Sequence, residues 1–545
     1  VPASARRNKT KWAPVARKGH QRQESVIFRG IVKSQTGWNK MSDTDKKKRS
    51  VIIMGGGLGG LFTGAILSKE DFDVTVLEKN PTVGGGLQSF TRFGEVFDTG
   101  MHIIGGMREN GNIRRICEYL GIMDRIHLQD VGPDVIDRVY CAEDGVNYDI
   151  GMGKEGFVNS LAERFPRQRE NLQRYVEAIF SIADELDLFH LRPSKDYITV
   201  HSGDFMIAAD ELIEKYVTDS RLRGVLAYLN PLYSGIPGVT PAYIHSVISV
   251  LYINGPSRFI GGSQLFANTL KDYITDNGGK VITSDGVTSV HSQGRVVTGV
   301  TTVSGRSFEG DWYVCDIHPA SFLHLLENAS LLPHGYRSRL ENIPNSCSAF
   351  TLNLKLKPES FKYIPQAQYY FNRYDSVWDC GNPKKKWPEA FLYITPPEFG
   401  QGEFSTKMIV TAPMHWNMVK KWEDTSLGHR CPEYEKWKEE CADRLLDRME
   451  KLHPDIRNCI EAINSASPLT IRDWYGVKEG AMCGYSKNCK NILLSQVPVT
   501  TKATNLLFTG QNCNLHGFCG VPLTAINTCE AILGRNYVIN RINGA

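Results

Sequence analysis

The fold of this chain is decided by residues 51–64, which read Val51-Ile52-Ile53-Met54-Gly55-Gly56-Gly57-Leu58-Gly59-Gly60-Leu61-Phe62-Thr63-Gly64. The first four residues form an unbroken apolar run, which predicts a parallel strand covered on both faces. Gly55, Gly57 and Gly60 follow in the G-x-G-x-x-G register, where glycines serve a tight turn, close approach of the backbone to a pyrophosphate, and packing of a helix on the strand. Because a helix N-terminus offers unpaired N–H groups and a positive dipole end to phosphates, this stretch predicts a dinucleotide site.

A second strand and an acidic residue support this prediction. The apolar residues 74–77 predict a strand, and Glu78 ends it 23 positions after Gly55. At this spacing a carboxylate accepts hydrogen bonds from ribose hydroxyls. A glycine-rich loop alone often only turns the chain. This stretch has five features in the expected order, and together they favour a dinucleotide site over a structural turn: a strand, glycines, a helix, a second strand and an acid.

The overall charge argues against a nucleic-acid partner. The chain has 545 residues and a formal net charge of +4, but residues 1–40 contain ten Lys and Arg against the single acid Glu24. The rest of the chain is therefore slightly acidic and has no basic stripe of the kind that binds phosphodiester backbones. The length is enough for several domains and a large core.

The first 47 residues are expected to be a disordered basic extension. Residues 1–40 show no apolar period, and Met41 opens the segment just before the first strand, so we expect Met41 to be the natural start. The alternative is a basic, acid-poor transit peptide. In either case this segment takes no part in the fold.

The cysteine pattern and the hydropathy indicate the cellular compartment and the membrane association to be expected. The thirteen cysteines include no C-x-x-C pair, which favours a reducing compartment and predicts neither a disulfide framework nor a metal site. No apolar run reaches the roughly 18 residues that a membrane span needs. We therefore expect a cytoplasmic protein, with peripheral membrane contact as an option. The oligomeric state stays open.

Two styles of sequence alternate along the chain. Glycine-rich and strand-like segments occupy residues 48–130, 255–325 and 490–545, and they predict one discontinuous dinucleotide-binding domain. Residues 131–254 and 326–489 are richer in aromatic residues, prolines and charged helices, and they predict a substrate-binding domain. The apolar segment 243–253 is expected to pack in the core, with the lining of an apolar cavity or contact with a membrane as alternatives.

Two further motifs extend the pattern and carry a resemblance. Residues 78–90 fit E-x5-G-G-x3-[ST]-F without a gap, and residues 97–105 read Phe-Asp-Thr-Gly-Met-His-Ile-Ile-Gly. Both are similar to stretches of retinol saturases, and the chain resembles the flavin-dependent amine oxidase and phytoene desaturase superfamily over nearly all of residues 48–535. The resemblance implies an α/β fold with a Rossmann-like FAD-binding domain of the glutathione-reductase type, discontinuous, and an inserted α+β substrate domain. It also implies FAD rather than NAD.

The resemblance assigns a set of cofactor contacts. These are Gly55, Gly57, Leu58, Gly59 and Gly60 at the pyrophosphate, Glu78 at the adenosine ribose with Lys79 next to it, Gly84, Gly85, Gly86 and Leu87 along the ribityl chain, Met101 and His102 near the isoalloxazine, Val287 at adenine, and Gly510, Gly517, Gly520 and Val521 closing over the flavin. Cys483 resembles the covalent flavin cysteine of some amine oxidases, but the surrounding pattern fits poorly. We therefore expect non-covalent FAD. The segment 515–520 is less glycine-rich than in desaturases.

The implied activity is hydride transfer between flavin and a carbon of a conjugated chain. The resemblance implies saturation, desaturation or isomerisation of double bonds in a retinoid, carotenoid or other isoprenoid lipid, and an apolar, aromatic tunnel suits such a substrate. His102 is the candidate catalytic proton donor, although a histidine that only hydrogen-bonds backbone or cofactor is the competing interpretation, and the same two interpretations apply to His516. NAD(P)H is a candidate electron donor, but only one dinucleotide fingerprint is present.

Two alternatives remain open at this stage. A flavin amine oxidase would be expected to carry an aromatic cage at the flavin face, and the matches at residues 97–105 argue against it. A non-enzymatic prenyl-binding protein of the same fold needs no flavin, and the intact Gly55, Gly57, Gly60 and Glu78 argue against that reading.

Overall fold

The computed structural model describes residues 48–194, 200–379, 381–491 and 495–544. The predicted basic extension 1–47, with Met41, lies outside these residues. The strands are β1 (Ser50–Met54), β2 (Asp73–Leu77), β3 (Ser89–Arg92), β4 (Glu95–Asp98), β5 (Leu128–Asp130), β6 (Val135–Cys141), β7 (Val146–Gly151), β8 (Ser257–Phe259), β9 (Lys280–Ile282), β10 (Val287–Gln293), β11 (Val296–Thr302), β12 (Ser307–Phe308), β13 (Trp312–Cys315), β14 (Ser348–Leu356), β15 (Ala367–Phe371), β16 (Ala390–Ile394), β17 (Lys407–Met414), β18 (Ile460–Ala466) and β19 (Leu506–Phe508). The helices are α1 (Leu58–Lys69), α2 (Asn112–Leu120), α3 (Gly153–Arg164), α4 (Arg169–Asp184), α5 (Ala209–Tyr216), α6 (Ser220–Leu226), α7 (Ala242–Ile253), α8 (Gln264–Asp276), α9 (Pro319–Phe322), α10 (His334–Asn342), α11 (Pro432–Leu452), α12 (Ile456–Cys459), α13 (Pro468–Tyr475), α14 (Gly517–Leu533) and α15 (Tyr537–Asn543).

A parallel sheet of five strands carries the glycine fingerprint. Its order is β19-β13-β1-β2-β9, and every pairing in it is parallel. The fingerprint strand β1 lies in the centre, where its apolar residues 51–54 are buried on both faces. Helix α1 packs against α8 and α14. The predicted strand, glycine loop, helix and second strand are all present.

A second large sheet has seven strands in the order β18-β14-β17-β16-β15-β6-β7. Its pairings are antiparallel except for the parallel pair β15 and β6. Side chains alternate across it, as in any strand. On β14, Phe350 and Leu352 pack against Leu445 and Met449 of α11, so one face of the sheet is closed by this helix.

The two sheets draw their strands from different parts of the chain. The parallel sheet uses residues 50–77, 280–315 and 506–508, whereas the seven-stranded sheet uses residues 135–151 and 348–466. We therefore keep the division predicted from the sequence, a discontinuous cofactor domain and an inserted substrate domain, as a proposal. The structure is the mixed α/β architecture that the sequence predicts.

Two elements depart from the sequence reading or extend it. The sequence predicts a C-terminal helix from about Leu523 to Leu533, because glycines and a proline precede it, but α14 begins at Gly517 and contains Pro522, which removes one backbone hydrogen bond without ending the helix. The apolar segment 243–253 forms α7, which packs in the core through Ile244 and Val247 and also faces the central cavity. This helix therefore fills two of the roles that the sequence left open.

Arg258 on β8 links the two parts of the structure. Its side chain is completely buried. The guanidinium donates to the backbone carbonyls of Ile364, at 3.2 Å, and Pro365, at 2.9 Å, through Nη1, and of Thr395, at 2.5 Å, through Nη2. Three backbone carbonyls between residues 364 and 395 thus share one cation.

Candidate functional site

One large cavity, of about 500 Å³, lies between the parallel sheet and the seven-stranded sheet. Its wall at one end consists of the fingerprint loop, the end of β2, and the glycines at 84–86. At the other end the wall consists of α7 and the face of the seven-stranded sheet opposite α11. Cavities of this size and position between two units are the usual place for cofactors and substrates.

The two glycine clusters of the sequence are held against each other. Gly55 adopts a φ of 104°, which side-chain-bearing residues rarely adopt, and its N–H donates to the Leu77 carbonyl at 2.8 Å. The N–H of Gly84, which also has a positive φ, donates to the Gly56 carbonyl at 2.7 Å. The tight turn that the motif predicts is therefore present, and the second glycine cluster is hydrogen-bonded to it.

Glu78 organises this loop. Its Oε2 accepts from the Gly56 N–H at 2.7 Å and its Oε1 from the Asn80 N–H at 2.8 Å. Burial raises the pKa of the Glu78 carboxyl, and these backbone hydrogen bonds oppose that rise. Next to it, Lys79 donates from Nζ to the Asp473 carbonyl at 2.8 Å. Glu78 lies on the cavity wall, where its carboxylate can also meet a ribose.

Most of the predicted cofactor contacts line the cavity. They are Gly55, Gly57, Leu58, Gly59, Glu78, Lys79, Gly84, Gly85, Gly86, Leu87, Met101, His102, Val287, Gly510, Gly517 and Val521. Gly60 and Gly520 are not part of the wall. Gly60 packs against β1 at Ile53, and Gly520 packs against Leu515, so their small size serves helix packing. Their predicted contact with the cofactor finds no support in the cavity wall.

Asp316 is a site residue that was not predicted from the sequence. This residue directly follows β13, the neighbour of β1, and its N–H donates to the Met54 carbonyl at 2.9 Å. Its Oδ2 accepts from the Gly60 N–H, in the first turn of α1, at 2.9 Å. The signal available in the sequence was an acid at the end of a buried strand, because carboxyl ends of parallel strands meet at one edge of the sheet.

Three histidines, His102, His318 and His516, line the cavity and are called the cavity histidines below. Burial lowers the pKa of each to about 4, so all three imidazoles are neutral at pH 7. Nδ1 of His102 and Nε2 of His516 are buried and have no hydrogen-bond partner within the described part of the chain. Buried polar atoms are normally paired, so both nitrogens indicate a polar group that occupies the cavity.

The far end of the cavity has a different chemistry. Its wall includes the apolar side chains of Leu232, Ile248, Leu251, Leu392 and Met482. Among the described lining residues, the only Asp, Glu, Lys or Arg side chains are those of Glu78, Lys79 and Asp316, all at the glycine-rich end. The cavity thus offers one polar, phosphate-suited end and one uncharged end.

Residues 58–402 match the family described as flavin containing amine oxidoreductase. This match covers more than half of the chain. The chain belongs to the flavin-containing amine oxidoreductase family. Membership confirms the predicted resemblance, the FAD cofactor and the assignment as an oxidoreductase. The residues fit that cofactor, because the glycine cradle is open to phosphates at a helix N-terminus and two orphaned imidazole nitrogens lie farther along the same wall.

Two curated relatives and one solved structure show how far the likeness extends. The all-trans-retinol 13,14-reductase of Rattus norvegicus is 26% identical over 537 residues, which cover 90% of this chain and 86% of the relative. The 4,4'-diapophytoene desaturase (4,4'-diaponeurosporene-forming) of Staphylococcus haemolyticus is 24% identical, covering 89% of this chain and 98% of its own. The cyclohexylamine oxidase of Brevibacterium oxydans superposes with a TM-score of 0.56 at 14% identity, covering 92% of this chain and 100% of that one. This last likeness confirms the predicted fold.

Proposed function

We propose that this protein is an FAD-dependent oxidoreductase that saturates, desaturates or isomerises carbon-carbon double bonds in a retinoid, carotenoid or other isoprenoid lipid. The observation that carries the proposal is the far end of the cavity, where the described lining residues suit a polyene and include no carboxylate to hold an alkylammonium group. The names of the reductase and desaturase relatives support the same class of substrate.

The protein contributes position and an environment without bulk water. Bound FAD supplies hydride chemistry. The fingerprint loop holds the phosphates, α7 and the sheet face exclude water from the reacting carbons, and the neutral imidazole of His102 can hold a proton at its unpartnered Nδ1. Saturation needs a proton from solvent in addition to a hydride, and we keep His102 as the proposed proton donor for that direction: the neutral ring would give the proton at Nδ1 while Nε2 takes up one that originates from solvent, so the imidazole stays neutral.

We propose that the flavin is bound non-covalently. Cys483 lines the cavity, but burial raises the pKa of its thiol to about 12, and its Sγ donates to the Leu232 carbonyl at 3.3 Å. A thiol of this kind is a poor nucleophile, because the thiolate is the reactive form. Denaturing the yellow protein in acid should release all of the flavin into the supernatant; flavin that stays with the polypeptide contradicts this part of the proposal.

NAD(P)H is the proposed electron donor for saturation.

A peripheral membrane contact is the proposed route by which the substrate reaches the cavity. The described residues contain no helix long and apolar enough to cross a bilayer. Phe93, Val96, Leu265 and Phe399 are exposed apolar side chains, and the last three surround the glycines at 261 and 262. Co-flotation with liposomes, lost in the Phe93→Ser, Phe399→Ser variant, supports the contact; unchanged flotation of that variant contradicts it.

The activity test uses the FAD-reconstituted protein under anaerobic conditions. NADPH is mixed first, and bleaching of the flavin spectrum identifies it as a donor. Photoreduced protein is then incubated with all-trans-retinol, and oxidised protein with phytoene, and the products are separated and weighed by mass spectrometry. A gain of two mass units is saturation, a loss of two is desaturation, and an unchanged mass with a new retention time is isomerisation. Oxidation of cyclohexylamine or putrescine with no change in either lipid would overturn the proposal in favour of an amine oxidase.

A further inference from the structure

Asp316 lies in the space where the fingerprint loop meets the C-terminal segment. A Cβ added to Gly57 would lie 2.6 Å from its Oδ2, and one added to Gly59 would lie 2.5 Å from its Oδ1. Gly510 is packed against Oδ1 in the same way. Real Cβ atoms do not approach oxygen this closely, so these positions are glycine partly because the Asp316 carboxyl occupies the space.

The carboxyl of Asp316 also acts as the cap of α1. The residue before this helix, Gly57, has no side chain to accept from the first turn, and Asp316 Oδ2 accepts from the Gly60 N–H instead. A helix N-terminus normally offers these N–H groups to the phosphates of a dinucleotide. The Asp316 carboxyl and the pyrophosphate would therefore both interact with the positive N-terminal end of α1.

The charges around Asp316 oppose its ionisation. Burial raises the pKa of its carboxyl to about 7, the Glu78 carboxylate adds to the rise, and the N–H groups of Gly60 and Gly57 work against it. From the C-terminal segment, the Cys513 thiol faces the same carboxyl. No Lys or Arg contributes to this pKa within the described residues. In the protein without cofactor, Asp316 is thus about half ionised at neutral pH.

We propose that FAD binding to this protein takes up a proton at Asp316. The pyrophosphate brings two further negative charges to the helix end that the carboxylate already uses. Like charges that share one helix end in a site of low dielectric repel one another, and the carboxyl is the group that can lose its charge. Protonated Asp316 remains a neutral hydrogen-bonding side chain beneath the loop. This inference depends on the FAD site and not on the lipid substrate.

The expected pH dependence follows from linkage. Below about pH 6 the carboxyl is protonated with and without FAD, so the dissociation constant of FAD is flat. At pH 8 it is about nine-tenths ionised without FAD, so binding takes up about 0.9 proton and the dissociation constant rises nearly tenfold per pH unit. The cavity histidines, with pKa values of about 4, do not titrate in this range.

Isothermal titration calorimetry of the apoprotein with FAD tests the proposal. Titrations at pH 6.0 to 8.5, each in two buffers of different ionisation enthalpy, give both the dissociation constant and the number of protons taken up. Asp316→Asn, which keeps the shape and the acceptor for the Gly60 N–H, should take up no proton at pH 8 and bind FAD about tenfold more tightly than the wild type there. Glu530→Gln, which changes a partly buried carboxyl on α14 outside the cavity wall, is the matched control, and it should keep the proton uptake.

The possible results of the titrations distinguish proton uptake by Asp316 from proton uptake by neighbouring groups. Lys487, near the site, also titrates in this range, because burial lowers its pKa to about 8. Proton uptake that persists in Asp316→Asn would assign it to Lys487 or another group and overturn the proposal. If that variant fails to fold, the wild-type titration still decides, since an uptake near zero at pH 8 overturns the proposal by itself. Neither result bears on which lipid the enzyme converts, which the product assay measures separately.

Discussion

Replacement of Gly57 by alanine tests why the second fingerprint glycine is needed. Gly57 has a φ of −72°, which alanine adopts without strain. The only atoms within 4 Å of an added Cβ, apart from chain neighbours, are Oδ2 of Asp316, at 2.6 Å, and its Cγ, at 3.5 Å. An ordinary contact is 3.4 to 4 Å, so the Asp316 carboxyl must move by about 1 Å. Overpacking of this degree costs about 1–3 kcal/mol.

The steric cost of the Cβ added at Gly57 should therefore lower the stability of the protein even without cofactor. We expect Gly57→Ala to lower the free energy of unfolding of the apoprotein by about 1–3 kcal/mol, and we expect Asp316→Ala to remove most of this penalty in the double variant. Urea unfolding followed by tryptophan fluorescence measures all four corners of the cycle. Gly335→Ala is the control, because its added Cβ meets nothing within 4 Å.

The alternative explanation makes a different forecast. If Gly57 is needed only so that the backbone can approach the pyrophosphate, the apoprotein tolerates Gly57→Ala and FAD affinity falls equally with and without Asp316. An unchanged penalty in the Asp316→Ala background would refute the packing argument. If the loss of unfolding free energy disappears in the Asp316→Ala background while FAD affinity is still lost, Gly57 is needed both to leave space for the Asp316 carboxyl and to let the backbone approach the pyrophosphate.

The other predictions concern the core, the pH response and the lipid end. Arg258→Met should leave the Pro365 and Thr395 carbonyls without this donor, while the Ile364 carbonyl keeps its hydrogen bond from Thr395 Oγ1, and should cost about 1–3 kcal/mol of unfolding free energy for each of the two unpaired carbonyls; a loss below 1 kcal/mol in urea unfolding would contradict this. The cavity histidines have pKa values lowered to about 4, so stability is complete above the unfolded value near 6.5 and decreases as pH falls towards 4, by about 1.4 kcal/mol per histidine at pH 5.5. Apoprotein unfolding at pH 7.5 and 5.5 checks this, and His516→Asn should reduce the difference by its share. His102→Gln should keep bound flavin but lower saturation at least tenfold, whereas an unchanged product yield would assign His102 a binding role. Ile248→Asp should abolish lipid turnover and retain the flavin spectrum, because a carboxylate would then face the uncharged end of the cavity.

The cofactor end could be predicted from the sequence because its signals are local. Strand, glycine loop and helix at residues 51–69 follow one another along the chain, and each has its own pattern. Glu78 was predicted from spacing alone. Asp316 was not, because its position depends on the order of strands in the sheet, which places β13 next to β1. No pattern within residues 311–316 carries that information.

The seven-stranded sheet was hidden for a different reason. Residues 350–356 do alternate apolar and polar side chains, as a strand would, but the strands that β14 pairs with lie more than 50 residues farther along the chain, and no pattern within β14 identifies them. The start of α14 was not predicted because glycines and Pro522 are typical of a loop. The first difference arises from pairing between distant segments, and the second from tertiary packing that overrides local preference.

The alternation along β14 has a consequence for how such an enzyme diversifies. Phe350 and Leu352 belong to the core under α11, while Ala349 and Thr351 face the cavity floor, and Thr351 Oγ1 lies 3.3 Å from Thr411 Oγ1 on β17. Side chains at 349, 351 and 411 can therefore change in size or polarity while the other face of the same strands keeps the domain folded. The cavity face of β14 can therefore vary while the face that packs against α11 stays the same, so new lipid preferences can arise here at little cost in stability.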